Sequence, residues 1–108
     1  MDKHSETRRH PRYISRTPVY IYQEEYVLPY PKGVVLNFSR EGAYFQAEEK
    51  LRIGDHVYIR IENYDPGEEG IERYWEYSGF VRWSEELGTS YHNGSFGYGI
   101  QYEKPVEY

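Results

Sequence analysis

The sequence predicts an all-β protein that folds as a small antiparallel barrel. Apolar and aromatic residues alternate with polar ones at a period of two, most clearly in "DHVYIRIEN" at residues 55–63. Clusters of Gly, Pro, Asn, Asp and Ser separate such stretches. No window of a dozen residues repeats apolar side chains at helical spacing. Six short strands leave few exposed edges when the sheet closes, which favours a barrel.

The six strands are expected, in chain order, at residues 17–28, 32–38, 42–47, 55–63, 71–83 and 96–103. The first two, "TPVYIYQEEYVL" and "KGVVLNF", are rich in β-branched and aromatic residues, and "GAYFQA" is a short third. The fourth places Val57, Ile59 and Ile61 on one face. "IERYWEYSGFVRW" gives a long fifth strand, and "FGYGIQYE" alternates aromatic or apolar residues with glycine. Turns are expected at "PYPKG", "SREG", "RIGD", "NYDPGEEG" and "HNGS".

Length and composition indicate one soluble domain. A chain of 108 residues can build a single core without staples. Cysteine is absent, which excludes disulfides, thiolate catalysis and Cys-ligated zinc. The N-terminus has no apolar signal-like region, and the apolar runs are far too short to cross a membrane. We therefore expect a cytoplasmic protein that does not insert into membranes.

The net charge of −5 is unevenly distributed. Residues 1–16 hold five Lys/Arg and two acidic residues, whereas residues 17–108 hold eight Lys/Arg and sixteen acidic residues. We interpret the first segment as a basic N-terminal arm and the second as the barrel. An acidic body repels a long polyanion, so DNA and RNA are not expected as partners. The arm, in contrast, favours a compact anionic ligand.

No constellation of residues indicates an enzyme or a metal site. The histidines lack metal-ligand spacing; they are His4, His10, His56 and His92. The acidic residues fall mainly in turns, and nothing marks a paired acid and base. Ser39 lies in no G-x-S-x-G elbow. We expect no catalytic residues, no metal and no cofactor.

The stretch "RRHPR" at residues 8–12 points to anion binding. Arg8 and Arg12 stand four apart, and Pro11 disfavours a helix between them, which indicates an extended arm. The guanidinium fork matches phosphate oxygens and the O6/N7 edge of guanine, and its plane stacks on bases. A solvated basic tail is the alternative interpretation of this stretch.

The stretch "NFSREG" at residues 37–42 supplies polar groups between two apolar strands. Asn37 and Ser39 lie two apart, so in an extended strand end both side chains face one side and can bond a base edge. Gly42 allows either a positive φ or the close approach of a ligand. The alternative is an ordinary turn in which Asn and Ser bond the local backbone.

Together the two stretches resemble the PilZ domain, a bacterial receptor for cyclic di-GMP. That family carries R-x-x-x-R before a six-stranded β-barrel and then [D/N]-x-S-x-x-G at the end of an early strand. "GAYFQA", "LRIGDHVYIRI", "SGFVRW" and "GYGIQY" extend the resemblance over most of residues 8–103. It implies that all of the following contact cyclic di-GMP: Arg8, Arg9, Arg12, Asn37, Ser39, Gly42 and Trp83. Trp83 offers an aromatic face to a base, with core packing as the alternative.

The resemblance implies a receptor whose flexible arm is ordered by cyclic di-GMP and which then signals through a partner protein. One alternative is an interaction module of the same fold that does not bind the nucleotide. Another is a small barrel that binds single-stranded nucleic acid. Many PilZ domains end in a helix, whereas here little or no C-terminal helix is expected after "GYGIQY". The residues leave open whether one or two ligands bind.

Overall fold

The computed structural model describes residues 13–23, 31–63, 76–88 and 95–106, which contain six β-strands and no helix. The strands are β1 (Tyr13–Tyr22), β2 (Lys32–Phe38), β3 (Gly42–Ala47), β4 (His56–Ile61), β5 (Glu76–Glu86) and β6 (Phe96–Tyr102). Residues 103–106 follow β6 without forming a helix. Within the described ranges, no helix is long and apolar enough to cross a membrane.

The strands close into an antiparallel barrel in the order β1-β2-β3-β6-β5-β4, with β4 pairing back to β1. Four pairs join strands that follow one another in the chain, whereas β3–β6 and β1–β4 join distant strands and set the closure. Closure gives every strand two partners, so no strand edge is left open. The predicted all-β, six-stranded antiparallel barrel is confirmed.

The core fills the barrel with alternate side chains from every strand. In β4, for example, Val57, Ile59 and Ile61 are buried while the residues between them are partly exposed. The most completely buried large side chains are Tyr98, Phe45, Ile21, Ile59, Val19, Val35, Val57 and Val81. Burying a side chain of this size contributes roughly 1.5–3 kcal/mol, so these inward positions dominate the stability of the fold.

One buried tyrosine fastens the connection between β3 and β4. The Tyr98 hydroxyl donates to the carbonyl of Glu49 and accepts from the N–H of Leu51, both at 2.8 Å. The connection therefore crosses the end of the barrel with these two backbone groups satisfied from within the core. Burial is the main cause that raises the pKa of Tyr98 above its usual value.

Four strands differ from their predicted bounds: β4 and β6 are shorter by one or two residues at an end, whereas β1 starts earlier and β5 ends later than predicted. β1 begins at Tyr13, so residues 13–16 of the predicted arm belong to the barrel. These residues carry little apolar periodicity, but Tyr13 pairs with Phe38 and the two rings lie 5.3 Å apart. β5 continues past Trp83 to Glu86, because its polar end pairs with β6. Residues 24–28 and 71–75 of the predicted strands, and residues 1–12 of the arm, lie outside the described residues.

Candidate functional site

Five residues form one row across the outer surface of the barrel, which we call the outer row. Ile14 of β1 pairs with Asn37 of β2, which pairs with Tyr44 of β3. Tyr44 pairs with Gly99 of β6, which pairs with Trp83 of β5. Residues directly opposite in antiparallel strands point to the same face, with Cβ atoms about 4.5–5.5 Å apart. One apolar, one polar and two aromatic side chains therefore share this surface.

Two β-bulges turn Asn37 and Trp83 outward. Val35 and Val81 are fully buried, so simple alternation would place the residue two positions after each of them inside the barrel. The register shifts between Val35 and Asn37 and between Val81 and Trp83. The extra residue in each strand re-aims the following side chain, as bulges commonly do. Trp83 consequently has 45% of its surface exposed and lies outside the core.

Ser39 lies in the turn between β2 and β3. Its N–H donates to the carbonyl of Gly42 at 2.8 Å, and its Oγ accepts from the N–H of Glu41 at 3.2 Å. The side chain is buried, with 7% of its surface exposed. The hydroxyl thus stabilises the turn as a local cap, while its own proton can still be donated. Ser39 therefore bonds the local backbone, as the turn interpretation expects, and its contact with a ligand stays a prediction.

Gly42 is required for close contact between strands. Among the described residues, positive φ occurs only at Gly54 and Gly88, so Gly42 does not adopt a left-handed conformation. A Cβ at Gly42 would lie 2.0 Å from the carbonyl oxygen of Ile100 in β6. The sequence interpretation that Gly42 supplies a positive φ is therefore wrong. The close approach that the glycine permits is that of the β6 backbone.

The turn is also bonded to the segment that follows β6. The N–H of Val106 donates to the carbonyl of Arg40 at 2.9 Å, and Arg40 Nε donates to the carbonyl of Val106 at 3.2 Å. The N–H of Tyr102 donates to the carbonyl of Glu41 at 2.8 Å. These three bonds hold Arg40 and Glu41, the two residues between Ser39 and Gly42, against the end of β6 and the segment that follows it.

Tyr44 is a member of the outer row that sequence reasoning missed. Its ring stacks on Trp83 with centroids 5.4 Å apart and planes inclined by 15°. Alternation within "GAYFQA" places Tyr44 and the buried Phe45 on opposite faces of the strand, which predicts that the Tyr44 side chain points outward. Its neighbours on the surface depend on the β3–β6 pairing and on the bulge before Trp83. No local pattern in the sequence encodes either feature.

The predicted arginines Arg8, Arg9 and Arg12 lie outside the described residues. Among the predicted residues, the structure brings Asn37, Ser39 and Gly42 together at one turn, and it places Trp83 on the same rung as Asn37. The chain enters the barrel at Tyr13, immediately after Arg12 and one residue before the partner of Asn37.

A second polar cluster lies on another face, formed by β1, β4 and β5. The Tyr22 hydroxyl donates to the Glu76 carboxylate and accepts from Arg60 Nη2 at 3.2 Å. Arg60 Nη2 lies 3.5 Å from Glu76 Oε2, and the Tyr22 ring stacks on Tyr58 at 5.3 Å. Burial, followed by the hydrogen bond to Glu76, raises the pKa of Tyr22 to about 12. This cluster joins three strands and contributes no residue to the outer row.

Among the described residues, no group of three His, Asp or Glu side chains could hold a metal ion. Comparison with family models gives a match to the PilZ domain over residues 6–107. Comparison with curated proteins gives no match. The matched range includes the predicted arginines, all six strands and every residue of the outer row.

Proposed function

The chain belongs to the PilZ domain family, and from this premise we propose that it is a cytoplasmic receptor for cyclic di-GMP that signals through a partner protein. PilZ domains are receptor and adaptor modules rather than enzymes. The observation that carries the proposal is the pairing of Ile14 with Asn37. It sets the entry of the arginine-bearing segment beside the polar end of β2.

The reach of the chain is sufficient for both arginines of the motif to meet a ligand on the outer row. Arg12 precedes Tyr13 directly, and Arg8 precedes it by five residues. Five residues of extended chain span at most about 17 Å. A cyclic dinucleotide lying over Asn37 is thus accessible to both guanidinium groups without any movement of the barrel.

The roles of the residues follow from their chemistry. Arg8 and Arg12 bond the phosphates and the O6/N7 edges of the guanines, and Arg9 adds a phosphate contact or a stacking plane. Asn37 bonds a guanine edge from the barrel surface, and Ser39 donates its hydroxyl proton. Gly42 acts indirectly, because its missing side chain lets β3 and β6 approach and so shapes the turn.

The distribution of charge along the chain supports these roles of the arm and the barrel. The arm is net positive, with five Lys/Arg and two acidic residues, whereas residues 17–108 are net negative, with eight Lys/Arg and sixteen acidic residues. A ligand with two phosphates is attracted to the arm and, being small, does not have to lie along the acidic surface. Ligand binding shifts the arm towards a state docked on the barrel, and that docked surface is what the partner protein recognises.

Calorimetric titration with cyclic di-GMP tests the proposal. We expect micromolar affinity or better, because two arginine forks and the polar strand end act together. Arg8→Ala and Arg12→Ala should each weaken binding at least ~10-fold, the loss of about one charge-assisted pair. Lys32→Ala is the matched control: it removes one positive charge from the far end of β2, where Lys32 lies 3.7 Å from Glu62.

No heat of binding at ~100 μM ligand would contradict the receptor function and favour an interaction module that ignores the nucleotide. If the wild type binds and both arginine variants bind equally well, the receptor function stands and the assignment of the arm is wrong. If Lys32→Ala weakens binding as much as the arginine variants do, long-range charge rather than contact explains the loss.

A further inference from the structure

One exposed aliphatic side chain lies away from the outer row. Four large hydrophobic side chains are exposed among the described residues, and three of them belong to the outer row or adjoin it: Tyr13, Ile14 and Trp83. The fourth is Ile53, in the turn between β3 and β4, with 66% of its surface exposed. Single exposed aliphatic residues are common on protein surfaces. The structure around Ile53 therefore decides whether it can make a specific contact.

Hydrogen bonds hold the turn that carries Ile53 on both sides. The N–H of Asp55 donates to the carbonyl of Arg52 at 3.0 Å, and the N–H of Arg52 donates to Asp55 Oδ2 at 2.9 Å. The N–H of Gly54 donates to the carbonyl of Val81 in β5 at 2.7 Å, and the N–H of Val81 donates to the carbonyl of Asp55 at 3.0 Å. Because the backbone is already fixed, burying the Ile53 side chain in a contact costs little further conformational entropy.

Arg52 places a positive charge beside Ile53. It directly precedes Ile53 in the chain, it is exposed, and it forms no ion pair with any described residue. The protein that carries the turn is acidic, since residues 17–108 hold eight Lys/Arg and sixteen acidic residues. A surface that complements this turn is therefore an apolar cavity with a carboxylate at its rim.

The same chain has such a cavity, between the start of β5 and the segment that follows β6. Its volume is about 310 Å³, at the small end of the range for binding pockets, which suits one aliphatic side chain. Tyr77, Tyr102 and Val106 supply apolar surface, and the two tyrosine rings stack with their centroids 5.2 Å apart. Glu103 and Lys104 also line the cavity. It thus combines an apolar wall with a carboxylate.

Glu103 is the carboxylate of this cavity that an incoming cation can reach. Its side chain is 45% exposed, and one of its oxygens, Oε1, contacts His56 Nε2. Glu76 lines the cavity as well, but its carboxylate is already bonded to Tyr22 and Arg60. A guanidinium group from another molecule can therefore bond the second oxygen of Glu103.

We propose that two copies of this chain associate by inserting Ile53 of one copy into the cavity of the other, with Arg52 facing Glu103. The turn cannot reach the cavity of its own chain. It is bonded to Val81, whereas the cavity begins at Glu76, five residues earlier in β5 and about 17 Å away along an extended strand. One aliphatic side chain and one ion pair make a small interface, so the association is weak and depends on concentration. This contact goes beyond the proposed receptor function and requires no ligand.

Sedimentation equilibrium of the purified chain at about 0.05 to 1 mM, without ligand, tests the contact. We expect the average mass to rise with concentration, with a Kd of about 0.1–1 mM. Ile53→Asp should weaken the association at least ~10-fold, because it puts a charge in place of the apolar group that the cavity buries. Ile14→Asp is the matched control: it makes the same substitution at an isoleucine of the outer row that is 93% exposed, and it should leave the association unchanged.

Charge reversal tests the pairing of Arg52 with Glu103. Arg52→Glu and Glu103→Arg should each weaken the association by about 2- to 5-fold, the size of one exposed ion pair. In an equimolar mixture of the two variants, opposite charges face each other again, so the mixed pair should form more tightly than either variant associates alone. Thermal melts of each variant confirm that loss of association is not loss of fold.

Each outcome bears on a defined part of the proposal. A wild type that stays monomeric at ~1 mM would refute the contact between copies and leave the turn to a protein of another sequence. The receptor function would stand, because cyclic di-GMP binding is a separate measurement. Equal association of the wild type and Ile53→Asp, or equal weakening by Ile14→Asp, would also overturn the contact. A mixture of the charge variants that associates no better than each variant alone would contradict the pairing of Arg52 with Glu103.

Discussion

Replacing Gly42 with alanine tests whether this glycine serves the fold rather than the ligand. The added Cβ would lie 2.0 Å from the Ile100 carbonyl oxygen, 3.1 Å from its carbonyl carbon and 3.3 Å from the Gln101 Cα, all backbone atoms of β6. Relieving the contact requires the first residues of β3 to move away by about 1 Å or more, since real Cβ atoms essentially never come within 3.0 Å of such an atom. The backbone hydrogen bonds between β3 and β6 near Gly42 would then be too long to stabilise the pairing.

Losing two or three such bonds costs about 1–4.5 kcal/mol at roughly 0.5–1.5 kcal/mol each. Alanine offsets about 0.5–1 kcal/mol of this by restricting the unfolded chain. The middle of these ranges gives a net loss of about 2 kcal/mol, which should lower the melting temperature by about 8 °C, at roughly 4 °C per kcal/mol for a domain of this size. Thermal unfolding followed by circular dichroism measures the change.

Gly99→Ala is the matched control, because its Cβ meets the Trp83 side chain instead of backbone. A side chain can rotate away, so Gly99→Ala should cost clearly less stability than Gly42→Ala and should instead impair ligand binding by displacing the indole. Equal melting temperatures for Gly42→Ala and the wild type would refute the reasoning. So would a larger destabilisation by Gly99→Ala than by Gly42→Ala.

Three further changes have defined outcomes. Tyr98→Phe removes the hydroxyl that bridges two backbone groups of the β3–β4 connection, and urea unfolding should show a loss of about 1–3 kcal/mol; an unchanged midpoint would contradict this. Burial, followed by the hydrogen bond to Glu76, raises the pKa of Tyr22 to about 12 from its ordinary value of 10.0, so its contribution to stability is intact below pH 10 and is lost towards pH 12. The wild type should therefore lose stability relative to Tyr22→Phe as the pH rises through this window, and parallel pH profiles would show that folding does not raise the pKa of Tyr22. Arg40→Ala removes one of two bonds to Val106, and hydrogen exchange at the Val106 amide should accelerate about 2- to 12-fold; unchanged exchange would show that the backbone bond alone holds the segment.

Much of the fold could be predicted from the sequence because its signals are local. β2 and β3 begin and end at the predicted residues, since each combines β-forming residues with a glycine- or proline-containing turn. The start of β1 was not predicted, because Tyr13 is fixed by pairing with Phe38 rather than by its own apolar pattern. Strand order likewise depends on contacts between distant segments, such as β3 with β6.

Individual residues of the candidate site could be predicted from the sequence, but their arrangement on one surface could not. The spacing of Asn37, Ser39 and Gly42 is visible in the sequence, and the structure places all three at one turn. The outward orientation of Trp83 is not visible, because period-two alternation from the buried Val81 would bury it too. Only the β-bulge between Val81 and Trp83 turns the Trp83 side chain outward. The residues at this position carry no reliable sequence signature of a bulge.

The central claim is that cyclic di-GMP binds the outer row, and amide chemical-shift mapping of the ¹⁵N-labelled protein tests it most directly. On titration with cyclic di-GMP, we expect the largest shifts at the amides of Asn37 and Tyr44 and at the Trp83 indole N–H. The amides of Tyr22 and Tyr58, on the other face, should stay in place. A spectrum that ignores the ligand at ~100 μM would contradict the receptor function, and shifts confined to the Tyr22–Tyr58 face would contradict the location of the site.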